Sequence, residues 1–200
     1  MPEFPSVDLL AIRRRLAERQ PNLLPEAPRR AAVATILRAP DPSAEAEVLL
    51  IRRAEHPHDP WSGHMAFPGG RCEPEDPSLL DTARRETLEE VGIDLQRHAE
   101  LLGRLDDLPA VARGKPVGMV ISPFVFELGT DPAIVPNYEV AEVLWAPLGR
   151  LARGRADTTR AYPYDGRDYY LPAFDVDGHV VWGLTYQMLQ SFFLALAGER

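Results

Sequence analysis

The segment that decides the fold is residues 67–93, FPGGRCEPEDPSLLDTARRETLEEVGI. It opens with a Pro-Gly-Gly turn and continues into the helical pattern of residues 77–91. Asp76 is a good N-cap, Pro77 suits the first helical position, and Gly92 suits the position after the last turn. The segment therefore predicts a tight turn that leads into a capped helix.

Three glutamates, Glu86, Glu89 and Glu90, fall within about a 100° sector of this helix. Like-charge pairs at these spacings destabilise a helix by about 0.2–0.5 kcal/mol each, and the macrodipole disfavours anions in the last turn. A divalent cation such as Mg²⁺ or Mn²⁺ would offset both penalties, since hard cations take oxygen ligands. The alternative is a solvated acidic face that is neutralised by Arg84 and Arg85.

The turn before the helix adds a second feature to the carboxylate face. Glycines permit positive φ and a close approach of the backbone to a ligand, so a backbone carbonyl of residues 67–70 is a further candidate metal ligand. The alternative is an ordinary tight turn. A glycine turn, a capped helix and three aligned carboxylates together are far more specific than any one of them.

Strands and helices are interspersed outward from this segment. The predicted strands cover residues 31–37, 48–51, 65–67, 99–105, 117–126, 140–145, 162–172 and 180–184. The predicted helices cover residues 7–19, 77–91, 147–153 and 185–197, with Thr185 as the cap of the last one and a loop over residues 106–116. This order predicts one α/β or α+β domain over residues 31–197 with a mixed sheet and helices on its faces, preceded by a helix and linker in residues 1–30.

Composition narrows the functional classes. The chain has 200 residues, 45% of them hydrophobic, and a formal net charge of −8. This acidic balance argues against constitutive binding to nucleic acid or to an anionic membrane, both of which need a basic face. The single cysteine, Cys72, excludes an internal disulfide framework and fits a reducing compartment. We find no secretory pattern and no apolar run long enough to cross a bilayer, and we therefore expect a cytoplasmic protein.

Residues 85–93, RETLEEVGI, resemble the second half of the Nudix box, Arg-Glu-U-x-Glu-Glu-x-Gly-U, where U is a bulky aliphatic residue. The first half of the box begins at Gly70, and the spacing between the two halves is one residue longer than in the standard box. The isolated early acid of the box is matched by either Glu75 or Asp76. Thr87 replaces the first aliphatic residue.

The same expansion by one residue is found in the coenzyme A pyrophosphatase branch of the family. The upstream signature of that branch resembles residues 49–54, LLIRRA, followed by Gly63 and by the FPGG of residues 67–70. Ile51 replaces a threonine, and the arginine in the middle of the signature is absent. Near the C-terminus, residues 181–185, VWGLT, resemble a Trp-Gly-x-Thr segment of the same branch.

The resemblance implies an α/β/α sandwich with a mixed sheet, and hydrolysis of a nucleoside diphosphate that is linked to another moiety. It implies that Glu86 and Glu90 are the main Mg²⁺ ligands, with Mn²⁺ as a possible substitute. Glu89 is then a further ligand or the base that orients water, and the Gly70 carbonyl completes the metal shell. Arg85 pairs with a carboxylate of the box and fixes its rotamer.

Further residues are candidates for catalysis and for substrate binding. Glu139 and Glu142 are candidate general bases, since in this family the base often comes from a later loop; the alternative is ordinary charge at a strand edge. Arg52 and Arg53 end a strand, so only one of them can face the cleft, and Arg53 aligns with the signature. Phe67 is a candidate substrate contact.

The leading hypothesis is a coenzyme A pyrophosphatase that releases adenosine 3′,5′-bisphosphate and a phosphopantetheine-type phosphate. The alternatives are a hydrolase of ADP-ribose, nucleotide sugars or dinucleoside polyphosphates, and a sensor that binds a nucleotide without cleaving it. The partner is a small-molecule nucleotide in each case. The apolar helix of residues 185–197 packs either on the core or at a homodimer interface.

Overall fold

The computed structural model describes residues 7–25, 27–41, 44–57, 59, 61–112 and 114–198. The first six residues of the predicted N-terminal segment therefore lie outside the described residues. The helices are α1 (Leu9–Ala17), α2 (Leu79–Val91), α3 (Leu95–His98), α4 (Leu148–Ala152) and α5 (Gly183–Ala197). The strands are β1 (Arg29–Arg38), β2 (Glu47–Arg53), β3 (Met65–Ala66), β4 (Gly69–Arg71), β5 (Ala99–Arg104), β6 (Leu108–Ala112), β7 (Lys115–Leu128), β8 (Val140–Pro147), β9 (Asp157–Tyr164), β10 (Arg167–Val176) and β11 (His179–Trp182).

Strand β1 is the centre of the larger sheet. It runs parallel to β7 and antiparallel to β2 and β4, so the sheet is mixed as predicted. Alternate residues of β1 enter two separate cores: Val33 and Leu37 join the core that contains α1 and α5, while Ala34 and Ile36 join the core that contains α2 and α3. A strand that is buried on both faces reads as a continuous apolar run, which is how residues 31–37 read. The α/β/α sandwich is confirmed.

Two different strands pair with β1 along its length. Leu37 pairs with Val48 of β2 at one end, whereas residues 31–33 pair with residues 71–69 of β4 at the other end. This arrangement places the glycine turn between β1 and the helix that follows. Gly69 has φ +151°, and a Cβ on it would lie 2.3 Å from the backbone oxygen of Ala32.

The start of α2 differs from the prediction. Ser78, not Asp76, caps the helix, and its side chain accepts a hydrogen bond from the Asp81 amide. Asp76 binds the side chain of Arg85 instead, so a tertiary contact overrides its capping preference. The predicted end is confirmed, because Gly92 follows the last turn with a left-handed φ of +74°.

Two further sequence assignments were wrong. The predicted loop over residues 106–116 contains β6, which pairs antiparallel with β7. The predicted strand over residues 162–172 is a hairpin of β9 and β10, which forms a separate three-stranded sheet with β11. Asp165 and Gly166 both have positive φ, at 51° and 70°, so they form the two-residue turn that an Asp-Gly pair favours.

Helix α5 begins at Gly183, and its N-cap is Trp182 without a side-chain hydrogen bond. Thr185 therefore does not cap the helix as predicted; its hydroxyl donates to the carbonyl of Met65 at 2.9 Å. The buried face of α5 packs on the same core as Ile12 and Leu16 of α1. The division of the chain into an N-terminal segment of residues 1–30 and a domain of residues 31–197 stays a prediction, and so does the homodimer. No helix among the described residues is long and apolar enough to span a membrane.

We expect the Gly69→Ala substitution to lower the free energy of unfolding by about 3 kcal/mol, because the added methyl group meets two backbone atoms. Gly166→Ala is the matched control. It also has positive φ, but no heavy atom lies within 4 Å of its Cβ position, so only about 1 kcal/mol should be lost. Urea unfolding of both variants measures the difference, and equal losses would contradict the close approach at Gly69.

Candidate active site

Glu90 lies near the end of α2 and is almost completely enclosed, with 2% of its surface exposed. Its Oε2 accepts a hydrogen bond from the Gly69 amide at 2.8 Å. Its Oε1 lies 3.9 Å from Nη1 of Arg53. Burial raises the pKa of Glu90 to about 7, while the Gly69 hydrogen bond and the Arg53 charge oppose that increase. The carboxyl group is thus held in a place where its charge is poorly compensated.

Glu86 lies one turn before Glu90 and is half-buried. A Cβ on Gly70 would lie only 2.4 Å from the carboxyl carbon of Glu86, so this glycine lets the backbone of β4 reach the carboxylate. Burial also raises the pKa of Glu86, and the nearby charges of Glu89 and Glu139 contribute to that increase. A buried and a half-buried carboxylate against a glycine backbone fit a divalent cation, which would supply the missing positive charge.

Arg85 connects the carboxylate face of α2 to the preceding loop. Its Nε and Nη2 donate to both oxygens of Asp76 at 2.9 and 3.0 Å, and its Nη2 also donates to the Arg71 carbonyl. The hydrogen bond from Arg85 holds the pKa of Asp76 well below its usual value. Glu75 is exposed. The sequence offered Glu75 and Asp76 as alternatives for the early acid of the box. In the structure it is Asp76 that contacts Arg85.

Glu89 occupies the solvent side of the same helix face, and 54% of its side chain is exposed. Arg85 Nη1 lies 3.0 Å from Glu86 Oε1 and 3.3 Å from Glu89 Oε2. Arg85 thus bridges the carboxylates of Glu86 and Glu89. Among the residues that the structure describes, no group of three acidic, histidine or cysteine side chains is arranged so that it could hold a metal ion.

A cavity of about 760 Å³ lies over the carboxylates. One end is acidic and contains Glu86, Glu90 and Glu139 together with the Gly69-Gly70 backbone. The other end is mainly apolar and aromatic. It is lined by Trp61, His64, Met65, Phe67, Met119, Ile121, Trp182, Leu184 and Met188. The cavity therefore joins a site for charged groups to a site for an uncharged or planar group.

The two candidate arginines point to different places, as the strand alternation predicts. Arg53 lines the cavity, and its Nε and Nη2 donate to Oδ2 of Asp59 at 3.1 and 2.7 Å. Arg52 pairs with Glu142 at 3.3 Å, and Glu142 also contacts His179. Neither Arg52 nor Glu142 is among the described residues that line the cavity.

Glu139 is the candidate base that the structure brings to the cavity. Its amide donates to the side chain of Asn137 at 2.8 Å, and its carbonyl accepts from the Ala54 amide at 2.7 Å. These backbone contacts hold the residue opposite Glu86 and Glu90. Glu89 is not among the described cavity-lining residues, whereas Phe67 and Gly70 are.

Comparison with known proteins places this site in a family. A family model described as the NUDIX domain matches residues 28–165. The chain belongs to the Nudix family. The match includes residues 70–93, the segment that resembles the Nudix box, and two of its carboxylates, Glu86 and Glu90, lie at the acidic end of the cavity.

Curated relatives agree with this family. An uncharacterized protein of Schizosaccharomyces pombe (strain 972 / ATCC 24843) is 37% identical over 179 residues, which cover 78% of this chain and 54% of that protein. The uncharacterized Nudix hydrolase NudL of Yersinia pestis (strain Pestoides F) is 33% identical over 168 residues, which cover 81% of this chain and 77% of that protein. The chain thus spans about half of the Schizosaccharomyces pombe relative. The family and the Nudix hydrolase relatives support the prediction of a pyrophosphohydrolase.

Two solved structures share the fold at low sequence identity. A MutT/nudix family protein from Enterococcus faecalis has a TM-score of 0.53 at 19% identity, covering 91% of this chain and 71% of that chain. An Ap4A hydrolase of C. elegans, solved as a binary complex, has a TM-score of 0.51 at 22% identity, covering 62% of this chain and 84% of that chain. At these identities the likeness concerns the Nudix fold alone.

Sequence reasoning did not find every residue at the site. It missed Asp59, the partner of Arg53, because no motif marks an acid in that irregular loop. It also assigned Thr185 to a helix cap, although its hydroxyl anchors β3 beside the cavity. The Nudix signature concerns the carboxylates, and it carries no signal for these supporting contacts.

We expect Asp76→Asn to lower the free energy of unfolding at pH 7 by about 1–3 kcal/mol, because it weakens a buried charged hydrogen bond to Arg85. The pKa of Asp76 is lowered by folding, so its stabilisation is present above about pH 4 and lost as the pH falls further. Glu75→Gln is the matched control and should have little effect. A Glu75 variant that loses as much stability as the Asp76 variant would contradict the assignment.

Glu90 gives the opposite pH dependence. Folding raises its pKa, so the metal-free protein loses stability as the pH rises from about 4.5 to about 7. In the presence of a chelator, we expect Glu90→Gln to be more stable than the unsubstituted protein at pH 8, by about 1–3 kcal/mol, and of similar stability at pH 5. Glu89→Gln, on the exposed side, should change little at either pH. A Glu90 variant that is less stable at pH 8 would refute this account of the burial.

Proposed function

We propose that this Nudix chain hydrolyses the diphosphate bond of coenzyme A or its thioesters, yielding adenosine 3′,5′-bisphosphate and 4′-phosphopantetheine or its acylated form. One water molecule adds across the phosphorus–oxygen–phosphorus bridge, so each product carries one of the two phosphates. The observation that carries the hydrolytic part is the pair of carboxylates, half-buried Glu86 and buried Glu90, at the acidic end of a large cavity.

The residues that would hold Mg²⁺, or Mn²⁺ in its place, are Glu86 and Glu90, with Glu89 and the Gly70 carbonyl as further ligands. A bound divalent cation neutralises diphosphate charge and lowers the pKa of a bound water. Arg85 holds Glu86 and Glu89 from the side and orients them. The backbone amide of Gly69 fixes one oxygen of Glu90, which leaves the other toward Arg53.

Glu139 is the proposed general base. It lines the cavity opposite the box carboxylates, and its charge contributes to the raised pKa of Glu86 and of Glu90. A carboxylate in this position can accept the proton of an attacking water. Glu142 is the weaker candidate, since its side chain is paired with Arg52 and contacts His179.

The choice of coenzyme A is supported by the segments that resemble that branch. They are separate in the sequence, yet Arg53, Phe67 and Gly70 of the upstream signature line the same cavity as Trp182 and Thr185 of the downstream segment. A cavity that has both acidic and apolar lining residues suits a substrate that joins a diphosphate to a less polar arm.

Product analysis tests this function directly. The protein is incubated with Mg²⁺ and a mixture of coenzyme A, ADP-ribose, a nucleotide sugar and diadenosine polyphosphate, and products are identified by liquid chromatography and mass spectrometry. We expect adenosine 3′,5′-bisphosphate to appear first. Turnover of another compound instead would support Nudix hydrolysis and would contradict coenzyme A as the substrate. No turnover with Mg²⁺ or Mn²⁺ would favour a nucleotide sensor.

A comparison of two glutamates tests the base. We expect Glu139→Gln to lower kcat by about 10²–10⁴-fold, the usual contribution of a general base. Glu142→Gln removes the same charge from β8, the strand that follows Glu139, and its kcat should stay within about two-fold of the unsubstituted protein. The reverse ranking in steady-state kinetics would reassign the base to Glu142.

Two other properties stay predictions. A cytoplasmic location rests on the single, exposed Cys72, which fits a reducing compartment. A homodimer would use exposed apolar surface, such as Leu194 on α5, which is 47% exposed. Sedimentation of the protein at two concentrations would measure the oligomeric state.

A further inference from the structure

The apolar end of the cavity leads to an arginine that the Nudix box does not include. His64 and Trp182 line the cavity, and their ring centroids lie 4.7 Å apart. The guanidinium carbon of Arg160, on β9, lies 5.7 Å from the centroid of the Trp182 ring. Arg160 is exposed and is not itself among the described residues that line the cavity, but it makes a cation–π contact with Trp182, which is one of them.

These residues form a continuous series from the acidic end outward. Glu90 lies 3.9 Å from Arg53, whose backbone amide donates to the carbonyl of His64 at 3.0 Å. His64 contacts Trp182, and Trp182 contacts Arg160. The backbone from His64 to Gly69 connects both ends of the cavity, and five residues span at most about 18 Å. Arg160 is therefore linked to the carboxylates through residues that line one cavity.

The two arginines of this series differ in whether their side chains already have an acidic partner. Arg53 is already paired with Asp59 at 2.7 Å. In the part of the chain that the structure describes, the side chain of Arg160 takes part in no ion pair or hydrogen bond, and it contacts the Trp182 ring. Its charge reaches the cavity wall, since it contributes, after burial, to lowering the pKa of His64. Arg160 is thus a cation with its donors still available.

We propose that Arg160, stacked on Trp182, binds a phosphate monoester of the substrate that lies outside the scissile diphosphate. This inference rests on the proposed function, in which the substrate carries a 3′-phosphate on its ribose. In the proposed function the cation at the acidic end serves the scissile diphosphate, so a monoester elsewhere on the substrate needs a separate positive charge. A guanidinium matches the phosphate oxygens with paired donors, and the Trp182 ring restricts its orientation.

The test compares coenzyme A with dephospho-coenzyme A, which lacks only the 3′-phosphate. We expect Arg160→Gln to lower kcat/KM for coenzyme A by at least about 10-fold, through KM, because a charged hydrogen-bonding partner is lost. Activity on dephospho-coenzyme A should stay within about two-fold. Arg167→Gln is the matched control. It removes the same charge from the same hairpin, near the Asp165-Gly166 turn, and it should leave kcat/KM for both substrates unchanged. Equal effects of Arg160→Gln on both substrates, or no effect, would overturn the proposal.

Binding calorimetry separates this inference from the proposed function. Adenosine 3′,5′-bisphosphate and AMP are titrated into the unsubstituted protein and into the Arg160→Gln variant, without hydrolysis. Tighter binding of the bisphosphate that is lost in the variant supports the phosphate site, even if coenzyme A is not a substrate. Equal affinity for both nucleotides overturns the site, even if coenzyme A is hydrolysed.

Discussion

The buried hydrogen bond between the Gly69 amide and Glu90 is the constraint on which the site depends. It requires β4 to lie directly beside β1, where a side chain on Gly69 would meet the Ala32 carbonyl. It also requires the last turns of α2 to pack over β4. The sheet register, the glycine turn and the helix position are therefore fixed together, and a carboxyl group is carried into the protein at the same point.

Burying the carboxylate of Glu90 disfavours its charged form, and neighbouring positive charge compensates this effect only in part. Burial raises the pKa of Glu90 to about 7, and Arg53 stands 3.9 Å away while it is bound to Asp59. Arg85 compensates the outer carboxylates and is itself held by Asp76. Positive charge is thus supplied by Arg85 to Glu86 and Glu89, and only incompletely by Arg53 to Glu90. That imbalance makes the acidic end of the cavity suitable for a cation and a diphosphate.

The helix and its carboxylate face could be predicted because they follow from local periodicity. Spacings of three and four residues place Glu86, Glu89 and Glu90 together whatever surrounds them. The role of Asp76 could not be predicted locally, since the same residue type caps helices and pairs with arginine, and only the fold brings Arg85 to it. The position of Arg160 could not be predicted either, because it lies on the β9–β10 hairpin, and the sequence predicted a single strand over residues 162–172 instead.

The orientation of Glu142 is a third case. Glu142 lies opposite Arg52 in the β2–β8 pairing, and the register shifts between Arg52 and Arg53. Such irregularities leave no periodic signal in one sequence. Mn²⁺ binding, followed by electron paramagnetic resonance, tests most directly whether Glu86 and Glu90 hold a divalent cation. We predict tighter binding at pH 8 than at pH 6, because Glu90 must lose its proton, and a large loss in the Glu86→Gln/Glu90→Gln double variant. Equal affinity at both pH values and in the double variant would contradict the claim.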